Sequence, residues 1–465
     1  MMKDSEIAKM GVLDLAEAYR RKELSPREAV QSLLREIKRK QVDYNLFIKI
    51  TEEEALRSAA ESEERMQKGS LLSPLDGIPF GIKDLIYTKG IHTTMGCDIY
   101  KDFVPDFNAT VVERLVSGGA VAMGKLNTQQ FAFGVTGDRS ASGAARNPHN
   151  KQKVCGGSSS GSAGAVAAEI LPLAIGTDTG GSIRIPASCC GVVGMKPTYG
   201  RVSIYGILPV CEGFDHAGPI TRNVRDNAAA LNSIAGYDAN DYFSVNTPVC
   251  PDYGRRIGES IKGAVIGVPF SLFSNNIQRA VLAAVTDAIK ALEKRGAVIK
   301  EIEFPGPEEL AMYRKAHQTV LLGNAYTVHE KDIAESSELI AKDVLERLKT
   351  GNVPVTDFVR SLRLQPRFKE IFRKLMCNLD IIMMPTLSIT ATDIDAREVM
   401  IEGHKTPIYD PYTRFCWMSN FTGFPALSMP CGKEEGLPIG VQLIGAEWDE
   451  DNMYRFAAEL EKSLA

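Results

Sequence analysis

Short apolar segments, interrupted by glycine and proline, alternate with helical patterns over most of the chain after Gly77. The apolar segments are typical of buried strands. Eight of them stand out: IPFGIKDLI, AVAMGK, LPLAIGTD, GVVGMK, AVIGVPF, DIIMMPT, PALSMPC and GVQLIG. Amphipathic patterns such as NIQRAVLAAVTDAIKALEKRG, which ends at Gly296, lie between them. This alternation predicts an α/β fold with one central sheet and helices on both faces.

The N-terminal region carries two strong helix patterns. In SPREAVQSLLREIKRKQ, Ser25 and Glu28 have the spacing of a capping box. In TEEEALRSAAESEERMQKG the same spacing relates Thr51 to Glu54, and Gly69 is placed to end the helix. We interpret both helices as scaffold.

The sequence contains no internal repeat, low-complexity tract or linker that would divide it. A chain of 465 residues is long enough for one large domain or two medium ones, and we expect a single domain over residues 1–465. Residues from about 1 to 70 form its helical N-terminal segment. The stretch from about 251 to 385 is again more helical and more charged, and could form a lobe.

Composition excludes several classes of partner. A net charge of -4, with scattered Lys and Arg, argues against a nucleic-acid-binding surface. The most apolar stretch, AGAVAAEILPLAIG, is broken by Glu169 and Pro172 and is shorter than the roughly 18 residues of a membrane span. The N-terminus lacks the apolar core of a signal peptide. We therefore expect no nucleic acid and no membrane as partner, and a cytoplasmic location.

The nine cysteines show no metal-binding pattern. Only Cys189 and Cys190 are close in sequence, no spacing is that of a zinc site, and no two histidines stand four residues apart. We expect no metal, and we interpret most of the cysteines as small buried hydrophobic residues in a reducing compartment.

Two glycine-serine clusters, GGSSSGSAG and TDTGGS, lie between Cys155 and Pro186 on either side of an apolar segment. Glycine loops allow a backbone to approach a ligand closely. Neither cluster has the G-K-[ST] of a P-loop or the G-x-G-x-x-G spacing of a dinucleotide site. GSSSG does match the nucleophile-elbow pattern, with Ser159 as nucleophile. That alternative is weak, because NPHNKQKVC before it is a poor strand and no downstream histidine stands in a telling context.

An acyl-transfer site would use both clusters together. It needs a nucleophilic hydroxyl, a base and backbone N–H groups directed at the oxyanion. DTGGS can present consecutive amides beside Ser182, because its two glycines add no side-chain bulk. The base would be a lysine whose pKa burial lowers, and Lys83 is the lone cation within the apolar GIPFGIKDLI. The alternatives are a solvated lysine or an ion pair with Asp84, and flexible linkers for the two clusters.

Long motifs surround these clusters. The longest is GGSSSGSAGAVAAEILPLAIGTDTGGSIRIPASCCGVVGMKPTYGRVS, and the others are PLDGIPFGIKD, GKLNTQQFAFG, RNPHN, FDHAGPITRNVRD, NFTGFPALSMPCG and PIGVQLIG. Together they resemble the amidase signature family of serine hydrolases, over roughly residues 10 to 460. The resemblance implies that residues from about 75 to 235 form the signature core. It also implies the amidase-signature α/β fold, with a central mixed β-sheet flanked by helices on both faces.

The resemblance also implies a Ser-cisSer-Lys triad. Ser182 would form the acyl-enzyme, Ser158 would bridge between it and Lys83, and Lys83 would be the base. The peptide bond before Ser158 would be cis. The oxyanion hole would be built from four consecutive amides, those of Thr179, Gly180, Gly181 and Ser182. Such an enzyme hydrolyses small-molecule amides, or esters and carbamates, and needs no cofactor. A homodimer is a further possibility.

Substrate recognition rests on fewer residues. By family position, Phe131 and Ala132 in QQFAFG would line the acyl pocket with residues around Trp417. Ser160 stands where the family usually has glycine. Thr413 stands where the A subunit of the tRNA-dependent amidotransferase has an aspartate in its glutamine pocket, and the glutamine-binding arginine is hard to find. The sequence therefore favours a stand-alone amidase, with the glutaminase component of that amidotransferase as the alternative.

Overall fold

The structure is a computed structural model that describes residues 2–247 and 252–464. Its strands follow one another along the chain as β1 Phe47–Ile50, β2 Pro79–Lys83, β3 Val121–Leu126, β4 Arg146–Asn147, β5 Asn150–Val154, β6 Leu173–Asp178, β7 Val193–Lys196, β8 His216–Thr221, β9 Val265–Val268, β10 Val298–Glu301, β11 Ile381–Pro385, β12 Glu398–Ile401, β13 His404–Pro407, β14 Ala426–Glu434 and β15 Leu437–Ile444.

Eleven of these strands form one sheet, in the order β1-β3-β2-β6-β8-β7-β14-β15-β11-β9-β10. Strand β2 is parallel to β3 and β6, and β9 is parallel to β10 and β11. The remaining neighbours are antiparallel, so the sheet is mixed, as the resemblance implied. All eight apolar segments lie in this sheet. Strands β1, β8 and β10, which the sequence did not predict, complete it.

The helices are α1 Asp4–Lys9, α2 Val12–Arg20, α3 Pro26–Tyr44, α4 Glu52–Lys68, α5 Thr110–Ser117, α6 Ser160–Ala167, α7 Arg184–Cys190, α8 Val224–Ile234, α9 Arg279–Lys294, α10 Pro307–Glu335, α11 Lys342–Lys349, α12 Val355–Met376, α13 Tyr409–Thr413, α14 Trp417–Thr422 and α15 Glu450–Leu464. No helix in the described ranges is long and apolar enough to cross a membrane.

Side chains that alternate along the central strands contribute to two separate layers of the core. Leu173 and Ile175 of β6 join a buried cluster that includes residues of α8, α9 and α15. Ala174, between them, joins a second cluster with residues of α3, α4 and α6. Successive side chains of a strand point to opposite faces, so these two clusters lie on opposite sides of the sheet.

Helices α3 and α4, which correspond to the two predicted N-terminal helices, begin differently. Ser25 Oγ accepts from the Glu28 N–H at 3.2 Å, and the Ser25 N–H donates to the Glu28 carboxylate at 2.9 Å, which confirms the first capping box. The second is wrong, because the Thr51 hydroxyl donates to the Ala122 carbonyl at 3.0 Å and makes no cap. This bond ties the start of α4 to β3. Gly69 ends α4 with a φ of 67°, as predicted.

The helical stretch predicted from about 251 to 385 is interleaved with the sheet. It is described from residue 252 onward, and it supplies β9, β10 and β11 as well as helices α10, α11 and α12. Of the eight cysteines in the described residues, seven are buried and Cys377 is exposed, which confirms the hydrophobic interpretation for most of them. Cys250 lies outside the described residues.

Candidate active site

The ends of two parallel neighbouring strands lie at the centre of the candidate site. Lys83 is the last residue of β2 and Asp178 the last residue of β6, and parallel strands present these ends at the same edge of a sheet. Lys83 Nζ donates hydrogen bonds to Ser158 Oγ at 2.6 Å and to Thr177 Oγ1 at 2.7 Å. All of these side chains are buried. The fold therefore places Lys83 against the serine that lies 75 residues later in the chain.

Three lysines near this edge are fully buried, and their partners distinguish them. Lys125 Nζ lies 3.4 Å from the Asp84 carboxylate, so the ion pair considered for Lys83 is formed by another lysine. Lys196 Nζ lies 3.0 Å from His216 Nε2 and donates to a backbone carbonyl. Lys83 is the one among them that is hydrogen-bonded to a serine hydroxyl.

Burial changes the proton affinity of Lys83. It lowers the pKa of the ammonium to about 7, while the negative charges of Asp178 and Asp215 act in the opposite direction. Burial of Asp215 raises the pKa of that carboxyl to about 6, although it accepts hydrogen bonds from the Thr179 hydroxyl and from the N–H groups of Val210 and Cys211. Sequence reasoning did not single out Asp215, which stands within the FDHAGP motif.

The first glycine-serine cluster, GGSSSGSAG, contacts the second, TDTGGS. The Gly157–Ser158 peptide bond is cis, as the resemblance implied. The Ser159 N–H donates to the Ser182 carbonyl at 3.3 Å, which joins the two clusters. Ser159 Oγ donates to the Thr177 carbonyl at 3.2 Å, and the side chain is fully buried. The elbow interpretation is wrong, since a nucleophile at this position could not reach a substrate.

The loop from Thr179 to Ser182 is held by Asp178. Asp178 Oδ1 accepts from the Gly181 N–H at 2.8 Å, and Oδ2 accepts from the Ile183 N–H at 3.1 Å. The Gly181 amide is therefore already used, which corrects the expectation that it faces an oxyanion. The other three amides of the loop have no acceptor among the described residues; they belong to Thr179, Gly180 and Ser182.

Asp178 is in turn held by a buried cation. Burial alone would raise the pKa of this carboxyl, but Arg184, at 2.9 Å, holds it well below its usual range. Arg184 also donates to Gln442 and to Asn420, and Asn420 donates to Asp178 at 2.8 Å. Residues that are distant in the chain thus fix the loop. The contribution of Asn420 and Gln442 was not predicted, although both lie in motifs that carry the resemblance.

A cavity of about 230 Å³ opens beside this loop. Ser182, Thr179 and Gly180 line it, and Ser182 is 9% exposed whereas Lys83 and Ser158 are fully buried. Ser182 is thus the residue of the predicted triad that reaches the cavity.

The residues expected to line the acyl pocket are only partly found there. Ala132 and Trp417 line the cavity. Phe131 does not belong to its lining; it is fully buried, with its ring 4.1 Å from the ring of His329. The expectation for Phe131 is corrected in this respect, because its side chain is packed in the protein core.

Helices α10 and α11 supply polar residues that the sequence did not reveal. Arg314, His317 and Arg347 all line the cavity. Arg314 forms an ion pair with Asp410 and donates to Thr413 Oγ1 at 3.2 Å. Arg347 has no ion-pair partner among the described residues. These side chains lie 130 or more residues after Ser182, and no local pattern marks them.

Comparison with known proteins agrees with this architecture. The sequence model of the Amidase family matches residues 28–453. The A subunit of glutamyl-tRNA(Gln) amidotransferase from Geobacillus stearothermophilus is 36% identical over 479 residues, covering 97% of this chain and 96% of that protein. A solved protein from a vestigial complex linked to the origins of an s-triazine catabolic enzyme has a TM-score of 0.92 at 31% identity, covering 97% and 98% of the two chains. A bacterial aryl acylamidase of the amidase signature family has a TM-score of 0.88 at 25% identity, covering 98% and 96%.

The fold and these similarities define a hydrolase that acts on amide C–N bonds, with the mixed α/β sheet of the amidase-signature enzymes. The chain belongs to the amidase family.

Proposed function

We propose that the protein is a stand-alone amidase in which Ser182 is the nucleophile, Ser158 relays protons and Lys83 is the base. The 2.6 Å hydrogen bond between Lys83 Nζ and Ser158 Oγ carries this proposal. A base must be unprotonated at working pH, and a lysine with a pKa of about 7 is mostly neutral at pH 8. Ser182 is the hydroxyl of this set that a substrate in the cavity can reach.

The cycle begins with transfer of two protons. Ser182 Oγ bonds to the amide carbon as its proton passes to Ser158, and the Ser158 proton passes to neutral Lys83. The lysinium that results is stabilised by the negative charges of Asp178 and Asp215. Ser158 then donates a proton to the leaving nitrogen, regains one from Lys83, and the C–N bond breaks. Water attacks the acyl-enzyme by the same proton path and releases the carboxylic acid.

Backbone amides would stabilise the tetrahedral intermediate. Thr179, Gly180 and Ser182 line the cavity, and their N–H groups have no acceptor among the described residues. One oxyanion donor is typically worth about 10²–10³ in kcat. The Gly181 N–H would contribute differently, because its bond to Asp178 fixes the loop that presents the other donors.

A panel of amides, anilides and carbamates tests the proposal. The purified chain should release ammonia or amine from several of them, and the Ser182→Ala variant should release none above background. Equal turnover by the two proteins would overturn the assignment of Ser182. The acyl groups accepted would also define the substrate class within the limit set by a cavity of about 230 Å³.

A second candidate is a glutaminase that delivers ammonia to a partner protein. The position of Arg347 and the similarity to the amidotransferase A subunit favour it. Arg347 lies 4.4 Å from the Phe133 ring and 4.1 Å from the Tyr409 ring, so its guanidinium is held in place and available for a carboxylate such as that of glutamine. Thr413 does not replace the aspartate of that relative chemically, which supports the stand-alone amidase.

An assay on the isolated chain separates the two candidates. Ammonia release from glutamine is compared with amine release from an aryl amide, for the wild type and Arg347→Met. A stand-alone amidase favours the aryl amide. A glutaminase favours glutamine, and Arg347→Met should then raise the KM for glutamine at least roughly tenfold more than the KM for the aryl amide.

A further inference from the structure

His317 brings two unpaired nitrogen atoms to the cavity that contains Ser182. The side chain lies on α10, is 4% exposed and lines the cavity. Neither Nδ1 nor Nε2 has a hydrogen-bond partner among the described residues. Buried polar groups without a partner are rare in folded proteins, so a molecule bound in the cavity is a candidate partner for these nitrogens.

Aromatic rings hold the imidazole in one orientation. Phe214 stacks on it with ring centres 5.1 Å apart and planes 18° apart. The rings of Trp417 and Phe421 lie at 5.6 Å and 5.8 Å. None of these contacts uses the ring nitrogens. The protein therefore fixes the position of the imidazole and leaves its polar edge for another group.

The imidazole is neutral throughout the working range of pH. Burial lowers the pKa of His317 to about 3, the charges of Arg314 and Arg347 act in the same direction, and the backbone of Thr179 opposes them without reaching hydrogen-bond geometry. A neutral imidazole always carries one N–H donor. Both ring nitrogens lack a partner, and an unpaired buried N–H is the rarer case in folded proteins, so the protonated nitrogen is the one that requires a hydrogen-bond acceptor.

The ring lies beside the loop that would hold the oxyanion. A Cβ atom placed on Gly180 would be 3.9 Å from His317 Cε1. A group that contacts the imidazole therefore lies only a few bonds from a carbonyl carbon attached to Ser182. The cavity lining combines apolar side chains, including Val135, Ile185 and Leu321, with the polar side chains of Arg314, Gln318 and Arg347.

We propose that His317 is a specificity-determining residue, which donates a hydrogen bond to an oxygen atom on the α or β carbon of the acyl group. The preferred substrates are then short amides whose acyl chain carries an ether, hydroxyl, carbonyl or carboxylate oxygen near the scissile bond. This inference rests on the proposed amide hydrolysis and adds its substrate class.

Pairs of amides of equal length test the contact. Methoxyacetamide is compared with butyramide, and 3-methoxypropionamide with pentanamide, so that an oxygen replaces one methylene. The ratio of kcat/KM within each pair is measured for the wild type, His317→Phe and His317→Gln. Phenylalanine keeps the aromatic packing without a donor, and glutamine keeps an N–H donor. Differences in intrinsic reactivity are common to all variants, so the change in ratio isolates the contact.

We expect the preference for oxygen to fall at least about tenfold in His317→Phe in one of the pairs, and to be partly kept in His317→Gln. His329→Phe is the matched control. His329 lies on the same helix, outside the cavity lining and against Phe131, so this variant should keep the wild-type ratio. Equal ratios in the wild type and His317→Phe would overturn the proposal, as would a preference confined to oxygen in the amine portion of the substrate.

A binding measurement separates this proposal from the proposed function. The same amides are titrated into Ser182→Ala and into the double variant Ser182→Ala/His317→Phe. A preference for oxygen in Kd that only the first protein shows supports His317 even if the wild type hydrolyses no amide. Identical affinities in the two proteins count against it, even if hydrolysis is observed.

Discussion

Asp84 pairs with Lys125, at 3.4 Å between Oδ1 and Nζ, and not with Lys83, its neighbour in the chain. Lys83 instead contacts two hydroxyl groups, those of Ser158 and Thr177. Hydroxyls satisfy the hydrogen-bonding needs of an amine without supplying a negative charge. Burial therefore dominates and lowers the pKa of Lys83 to about 7, which makes the lysine suitable as a base.

Replacing Lys83 should abolish most amide hydrolysis. Lys83→Ala should reduce kcat for amides by at least roughly 10³-fold, as is usual for residues that act as one unit. Esters with good leaving groups should be affected less, because they need less protonation. Lys151→Ala, at an exposed lysine, is the control. Near-normal amide hydrolysis by Lys83→Ala at pH 8, with an intact circular dichroism spectrum, would refute the mechanism.

The pH profile should rise through about pH 7. Protonated Lys83 cannot accept a proton, and its lowered pKa of about 7 makes the neutral form dominant above that value. The value of kcat/KM should therefore increase between pH 6 and 8 and remain high into the alkaline range. Initial rates measured from pH 5 to 10 at low substrate concentration check this. A maximum near pH 7 followed by a decline would be inconsistent with a lysine base.

Removing the charge of Asp215 should move that rise to lower pH. The Asp215 carboxylate raises the pKa of Lys83, so Asp215→Asn should lower it further. The apparent pKa of the kcat/KM profile reports the change in the pKa of Lys83. Asp102→Asn, at an exposed aspartate, is the control. A shift to higher pH would show that Asp215 acts on Lys83 in some way other than through its charge.

A covalent probe should react at Ser182. A fluorophosphonate attacks the activated hydroxyl that it can reach, and Ser182 lines the cavity while Ser158 and Ser159 are fully buried. Peptide mapping by mass spectrometry locates the label. Ser159→Ala should leave labelling in place and Ser182→Ala should remove it. A label on Ser159 would revive the nucleophile-elbow interpretation.

Enlarging Ala132 should change selectivity by acyl size. Ala132 lines the cavity of about 230 Å³, so Ala132→Leu should shift the kcat/KM ratio between small and bulky acyl groups by roughly tenfold or more. Phe131→Leu is the comparison, since Phe131 is buried outside the lining and should affect stability more than selectivity. An unchanged ratio across a size series in Ala132→Leu would remove Ala132 from the substrate pocket.

The sequence predicted most of the central sheet because eight strands are continuous apolar runs. The three strands that it missed, β1, β8 and β10, are not continuous apolar runs. Strand β8 contains Gly218 and Pro219, which are disfavoured in strands, yet both are buried between β6 and β7. Strand β10 lies at the sheet edge and is largely exposed. Strand β1 has four residues between two helices, too few for a periodic pattern.

The site residues that lie in family motifs could be predicted from the sequence. Those whose position depends on tertiary packing could not. Lys83, Ser158 and Ser182 lie in long motifs, and the structure places Lys83 against Ser158. No pattern could show that the Gly181 amide is used by Asp178, because that depends on the turn of the loop. His317 stands in no recognisable sequence pattern. Its role follows from the packing of α10 against the loop, more than 100 residues away in sequence.

Folding releases protons from three buried lysines. Lys83, Lys125 and Lys196 all have lowered pKa values in the folded protein, about 7 and 8 for the first two. At these lysines the unfolded chain therefore binds more protons than the folded protein, from about pH 7 for Lys83 and about pH 8 for Lys125 up to the usual lysine pKa near 10.4. Over that interval each such group raises the free energy of unfolding by up to about 1.4 kcal/mol per pH unit. Acidification from about pH 10 therefore weakens the fold first, and the protonation that removes the base follows near pH 7.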